Sequence, residues 1–112
     1  MSLKTLSECL HAFSTAAVST GTINAIAAVS GKRVSLYRVI LVIGSPAVTV
    51  QFNDSVAGQI SQPFQLAANG SLVLDTQPNG DPWFQTGAGG GLNIVQSGTT
   101  PITYDLWFLQ GP

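Results

Sequence analysis

Hydrophobic positions alternate along short segments of this chain, and turn-forming residues separate the segments. In residues 47–52, Val48, Val50 and Phe52 fall on one side, with small or polar residues between them. Successive side chains of a strand point to opposite faces, so the pattern predicts a half-buried β-strand. The same alternation places Leu72 and Leu74, Leu92 and Ile94, and Ile102, Tyr104, Leu106 and Phe108 on inward faces.

Residues 33–43 are apolar on both faces, as expected of a strand that is central in a sheet or covered on both sides. Arg38 interrupts this run. We interpret it as a snorkelling or salt-bridged residue rather than a catalytic cation.

The remaining segments predict shorter strands. We place strands at residues 13–19, at 22–30 with Ile23, Ala25, Ala27 and Val29 on one face, at 59–66 with Pro63 at an edge or bulge, and at 83–85. Asn69 and Gly70 predict a tight hairpin turn, because both tolerate positive φ. The glycine-rich residues 87–91 indicate a loop that another chain passes closely.

The first residues are ambiguous between two structures. Leu3, Leu6, Leu10 and Phe13 have roughly helical spacing, so residues 2–11 form either a short helix or an extended arm. We divide the chain into an N-terminal arm or short helix, residues 1–14, and a single domain, residues 15–112. About eight short strands with turns between them predict an all-β, jelly-roll-like β-sandwich.

Composition narrows the class of function. Of the 112 residues 45% are hydrophobic and only 8% are charged, against a usual charged share of about 25%. A surface with so few charges suits a permanent assembly. The cations Lys4, Lys32, Arg33 and Arg38 are too few for a nucleic-acid surface, and no apolar run approaches the roughly twenty residues that cross a bilayer.

Few residues in the chain could support catalysis. His11 is the only histidine and Cys9 the only cysteine, so an internal disulfide and a cysteine-rich zinc site are excluded. We interpret their spacing of two as accidental rather than as a catalytic dyad. The sequence 79–81 is a turn rather than a calcium loop, because it lacks alternating oxygen ligands. We therefore expect no enzymatic activity, cofactor or metal.

Two groups of residues are candidates for contact with a partner. Trp83 and Phe84 follow a turn that contains Asn79 and Asp81, and either ring could stack on a sugar or plug one end of the sandwich; we favour the plug. Trp107 and Leu109 lie on the face of the last strand opposite its core residues. If that face is uncovered in the monomer, it is an apolar patch that awaits a partner.

The order AVTVQF, PFQLAANGSLVL, WFQT and LNI resembles a small β-sandwich domain of tailed bacteriophages, over residues 31–108. The chain is similar to auxiliary virion proteins, in particular capsid decoration or cement proteins. It departs from their pattern at residues 81–86 and 89–91, where acidic residues of the related stretches are missing.

The resemblance implies a virion protein that is made in the host cytoplasm and binds the outside of the phage head. It would bridge subunits of the major capsid protein as a homo-oligomer, a trimer being favoured. Its N-terminal arm, which contains Leu3, Leu6 and Leu10, would contact a neighbouring subunit. The alternative is a receptor- or glycan-binding module of a fibre or tail that uses Trp83, Phe84 and residues 79–81. A purely structural sandwich within a larger complex is a third interpretation.

Overall fold

The computed structural model describes residues 9–112, which form ten strands and no helix. Most of the segment predicted as a helix or arm, including Leu3 and Leu6, lies outside these residues. The strands are β1 Leu10–Phe13, β2 Thr22–Ile26, β3 Arg33–Ile43, β4 Val48–Asp54, β5 Gly58–Gln59, β6 Phe64–Leu66, β7 Ser71–Leu74, β8 Phe84–Gln85, β9 Leu92–Gln96 and β10 Ile102–Gly111.

The strands form two antiparallel sheets that pack face to face. The first sheet has the order β1-β10-β3-β7, and β8 pairs with the same side of β3 as β7. The second has the order β2-β9-β4-β5, and β6 pairs with the same side of β4 as β5. The ten strands therefore occupy eight positions in a jelly-roll-like order, which confirms the predicted β-sandwich.

The core lies between the two sheets and contains the residues that alternation placed inward. Phe52, Ile94, Ile102 and Leu106 are fully buried, as are the inward residues of β3. Each such side chain contributes about 1.5–3 kcal/mol through removal of apolar surface from water. The long strands β3 and β10 pair along almost their whole length and hold the first sheet together.

Three predicted segments differ from the structure. The first strand is Leu10–Phe13 rather than 13–19, because Ala12 packs on the core and the small residues after Phe13 form only an isolated bridge at Val18. A bulge after Asn24 turns Ile26 inward, so β2 ends there and residues 27–29 are exposed. Segment 59–66 splits into β5 and β6 around Pro63, which has no N–H for the ladder.

The predicted tight turn at Asn69 and Gly70 is present, but the predicted hairpin is wrong, because β6 pairs with β4 in the second sheet and β7 pairs with β3 in the first. Asn69 has a φ of 61°, the left-handed conformation that asparagine tolerates better than most residues. A Cβ on Gly70 would lie 2.8 Å from the carbonyl oxygen of Ala67. This turn sets the start of β7 against β3.

Candidate functional site

The outward faces of the two sheets differ in chemistry. The second sheet presents polar residues, such as Thr49, Gln51, Asn53 and Gln65. The first sheet presents apolar and aromatic residues, and Phe13, Val42 and Val73 are 55%, 44% and 57% exposed. We call this outward surface the aromatic face; its members are His11, Phe13, Arg38, Val42, Val73, Asp105, Trp107 and Leu109.

A stacked row of side chains crosses three strands of the aromatic face. The ring of His11 stacks on Trp107 with centroids 4.5 Å apart and on Phe13 at 5.0 Å. Arg38 Cζ lies 4.7 Å from the centroid of the Trp107 ring. Strands β1 and β3 flank β10 on opposite sides, so His11 and Arg38 cover opposite faces of the indole. The row is thus ordered in the isolated chain.

Carboxylates fix both polar members of this row. His11 Nε2 and Asp105 Oδ1 are 2.9 Å apart and hydrogen bonded. Arg38 Nε lies 3.1 Å from Asp75 Oδ1, in an ion pair without hydrogen-bond alignment. Exposed pairs of this kind contribute at most about 1 kcal/mol to stability. Their main effect is to orient the imidazole and the guanidinium.

Residues 77–83 form the rim of the aromatic face. Tyr37 is the extra residue of a bulge in β3, between the residues that pair with Trp107 and Phe108. Burial raises the pKa of Tyr37, nearby Cys9 and Asp81 raise it further, and a hydrogen bond with Ser35 opposes them. The N–H of Trp83 donates to the carbonyl oxygen of Leu36 at 2.8 Å, so the end of the loop that carries Asp81 lies beside the bulge, at the edge of the face.

Within this rim, side chains hold the loop in shape. Trp83 Nε1 donates a hydrogen bond of 2.6 Å to the carbonyl oxygen of Asp75, and the ring stays 37% exposed. Asn79 Oδ1 accepts from the backbone N–H of Asp81 at 3.0 Å, which closes the turn. The loop thereby presents Trp83 and the Asp81 carboxylate at the surface.

Phe84 is partly buried and packs against the core between the two sheets, rather than forming the surface contact that was predicted for it. Its ring stacks on Phe52 at 5.2 Å and lies 6.4 Å from Phe64. The reason is strand alternation, because Phe84 pairs with the inward residue Leu36. Of the two rings that follow the loop, Phe84 is the plug and Trp83 the surface residue.

The other predicted contact residues divide between the aromatic face and its surroundings. Trp107 and Leu109 belong to the face, whereas Asn79, Asp81 and Trp83 lie on its rim. Leu10 is 56% exposed on the edge strand β1, opposite Phe108.

The sequence interpretation overlooked His11, Phe13 and Arg38 as members of a surface. Their signal was the two-residue spacing of His11 and Phe13, which puts both on one face of a strand. It was hidden because residues 2–11 also fit a helical pattern. The proximity of Arg38 to Trp107 depends on strand pairing, which no local pattern encodes.

Sugar stacking would require an open aromatic ring. Both faces of Trp107 are covered and Phe84 is internal, so neither ring is open for a sugar. Among the candidate rings, Trp83 alone keeps exposed surface next to polar groups, including Gln77 and Asp81.

The glycine-rich loop surrounds a buried carboxylate of the same chain. Asp54 Oδ1 and Oδ2 accept hydrogen bonds from the N–H groups of Val56 and Gly87 at 2.9 and 2.8 Å. Burial raises the pKa of Asp54, but backbone N–H groups of Val56, Gly87 and Ala57 outweigh it, so the pKa is below its usual value. The close neighbour of residues 87–91 is therefore the end of β4 of the same chain rather than the other chain that the sequence predicted.

A metal-binding cluster and a membrane-spanning helix are both absent from the part of the chain that the structure describes. Residues 9–112 contain no group of three or more His, Cys, Asp or Glu side chains that could hold a metal ion. Over the same residues, no helix has the length and hydropathy needed to span a membrane. A scan of protein-family models and searches of curated proteins and of solved structures find no match to the chain.

Proposed function

We propose that this chain is a structural virion protein that decorates the outside of a phage capsid and stabilises it by bridging subunits of the major capsid protein. The aromatic face is its contact surface. The proposed role needs no catalytic group, cofactor or metal. The observation that carries the proposal is the contrast between an aromatic outward face on one sheet and a polar outward face on the other.

The construction of the aromatic face favours a protein partner. Tryptophan, tyrosine and arginine dominate the residues that contribute most to protein interfaces. Here Trp107 and Arg38 are already stacked, so binding loses little side-chain entropy. The low share of charged residues agrees with a surface that is covered in an assembly.

The face alone is small for a stable interface. Four strands about 4.8 Å apart and a length of about 25 Å give roughly 400–500 Å², against about 800 Å² per partner in a standard interface. Further contacts are needed, and residues 77–83 continue the surface directly. The predicted contacts of Leu3, Leu6 and Leu10 with a neighbour would add to this area.

The proposal is tested by reconstitution on phage heads that lack this protein. Purified chain is added, and the occupancy and heat resistance of the heads are measured for the wild type, Val73→Ser and Val95→Ser. Val73 and Val95 lie on the outward faces of the first and second sheet, so the same substitution is compared on both. We expect Val73→Ser to weaken occupancy and Val95→Ser to leave it near wild type. Equal occupancy for the two variants, or no binding of the wild type, would overturn the proposal.

Trp83 supports a second candidate, a glycan- or receptor-binding module of a fibre or tail. Its ring is exposed beside Gln77 and Asp81, as a single sugar platform requires. A glycan array probed with wild type and Trp83→Ala tests this function. A sugar signal that disappears in Trp83→Ala, with few copies of the chain per virion, would favour it over decoration.

A further inference from the structure

We propose that the aromatic face receives a basic loop, residues 27–33, from a second copy of this chain, so that copies associate head to tail. This inference rests on the proposed function, because it takes the chain to be part of an assembly. It names a second copy of the chain as one partner of the aromatic face.

Carboxylates are concentrated at the aromatic face and its rim, where Arg38 pairs with Asp75 and His11 with Asp105. Among the described residues, Asp54 is buried, and the other carboxylates, Asp75, Asp81 and Asp105, lie on the face or its rim. Asp105 uses Oδ1 for His11, and no hydrogen bond within residues 9–112 involves its Oδ2. The face therefore offers carboxylate oxygen beside aromatic rings, which suits an ammonium or guanidinium group flanked by apolar atoms.

The loop between β2 and β3 carries the matching groups. Val29 is 42% exposed and Lys32 is exposed at the surface. Lys32 N–H donates to the carbonyl oxygen of Val29 at 3.0 Å, and Gly31 has a φ of 75°, so a tight turn presents both side chains. Within residues 9–112, neither Lys32 nor Arg33 has a carboxylate partner.

Lys32 and Asp105 cannot meet within one molecule, although Arg33 borders the end of the face, where it pairs with Gly111. Asp105 pairs with Ile40, eight residues along β3 from Lys32, and a strand rises about 3.3 Å per residue. The separation of about 26 Å far exceeds the span of an ion pair, so the contact must join two copies. Because the two surfaces differ, the contact is heterologous, and such contacts close into rings when the rotation allows.

A charge-swap experiment on the isolated full chain tests this contact. Sedimentation velocity over a range of concentrations measures self-association of the wild type, Asp105→Lys, Lys32→Glu and the combined variant. We expect each single variant to weaken association about tenfold or more, and the combined variant to recover most of it. Gln65→Lys, on the outward face of the second sheet, is the matched control and should associate like the wild type.

Several results would overturn the inference. One is a wild type that stays monomeric at every concentration; others are single variants that associate normally, or a combined variant that is no better than either single variant. Circular dichroism melting confirms that each variant is folded, and Asp105→Asn replaces Asp105→Lys if the latter does not fold. Head occupancy is measured separately. If the chain is monomeric but still binds heads, the loop contact is ruled out and the proposed decoration role is not affected.

Discussion

At the scale of single residues, the close packing around positions 90 and 91 requires glycine at both. A Cβ on Gly90 would overlap the carboxylate of Asp54, and one on Gly91 would lie 2.5 Å from the carbonyl oxygen of Ile26. Both positions are buried. The glycine run 87–91 is thus a packed contact with the end of β4 and the residues after β2.

We expect Gly90→Ala and Gly91→Ala each to lower the free energy of unfolding by about 2–3 kcal/mol, because the added methyl group overpacks a rigid site. Gly111→Ala is the control, since no atom lies within 4 Å of its added Cβ. That variant should stay within about 0.5 kcal/mol of the wild type. Urea unfolding measures all three, and equal stability of Gly90→Ala and Gly111→Ala would contradict the packing of this loop.

Asp54 makes stability depend on pH in a defined direction. Its pKa in the folded chain is below the ordinary 3.8. The stabilisation from its ionised form is therefore complete above that ordinary pKa and is lost as the pH falls through the lower, folded pKa. Asp54→Asn removes an ionised acceptor of buried N–H groups and should cost about 2–3 kcal/mol at neutral pH.

The measurement is the difference in unfolding free energy between wild type and Asp54→Asn as a function of pH. It should be constant at neutral and weakly acidic pH and shrink below about pH 4. A difference that does not change down to about pH 2 would show that the carboxylate is not held ionised by these hydrogen bonds.

At the scale of elements, the sequence predicts a strand more accurately when the hydrophobic pattern of that strand is regular. Strands β3, β4, β9 and β10 have long apolar runs or strict alternation, and the sequence predicts their positions and inward residues well. The short strand β1 was misplaced and β2 was extended too far. In β2 a bulge reverses the inward side between Asn24 and Ile26, and a two-residue period does not reveal a bulge.

Trp83 and Phe84 are adjacent, but their substitutions should have different effects. Phe84→Ala removes a ring that stacks on buried Phe52, so we expect a loss of about 3 kcal/mol in unfolding free energy. Trp83→Ala removes a partly exposed ring with one hydrogen bond, and about 1 kcal/mol is expected. Thermal and urea unfolding compare the two. A larger loss for Trp83→Ala would reverse the assignment of plug and surface residue.

At the scale of the whole molecule, the chain is a sandwich with one aromatic and one polar outward face. The sequence predicts part of the site, because alternation along β10 places Trp107 and Leu109 opposite the core residues. It does not predict that His11 and Arg38 cover the two faces of Trp107, since these residues come from strands far apart in sequence. The concentration of carboxylates at this face likewise depends on strand order.

The central claim is that the aromatic face is covered when the chain is assembled. Hydroxyl-radical footprinting with mass spectrometry tests it by comparing the free chain with phage particles that carry it. We expect the labelling rates of Phe13 and Val73 to fall severalfold in the particles, while that of Pro63, an exposed residue beside β6 of the second sheet, changes little. Equal labelling of Phe13 and Val73 in the free chain and in the particles would contradict the account.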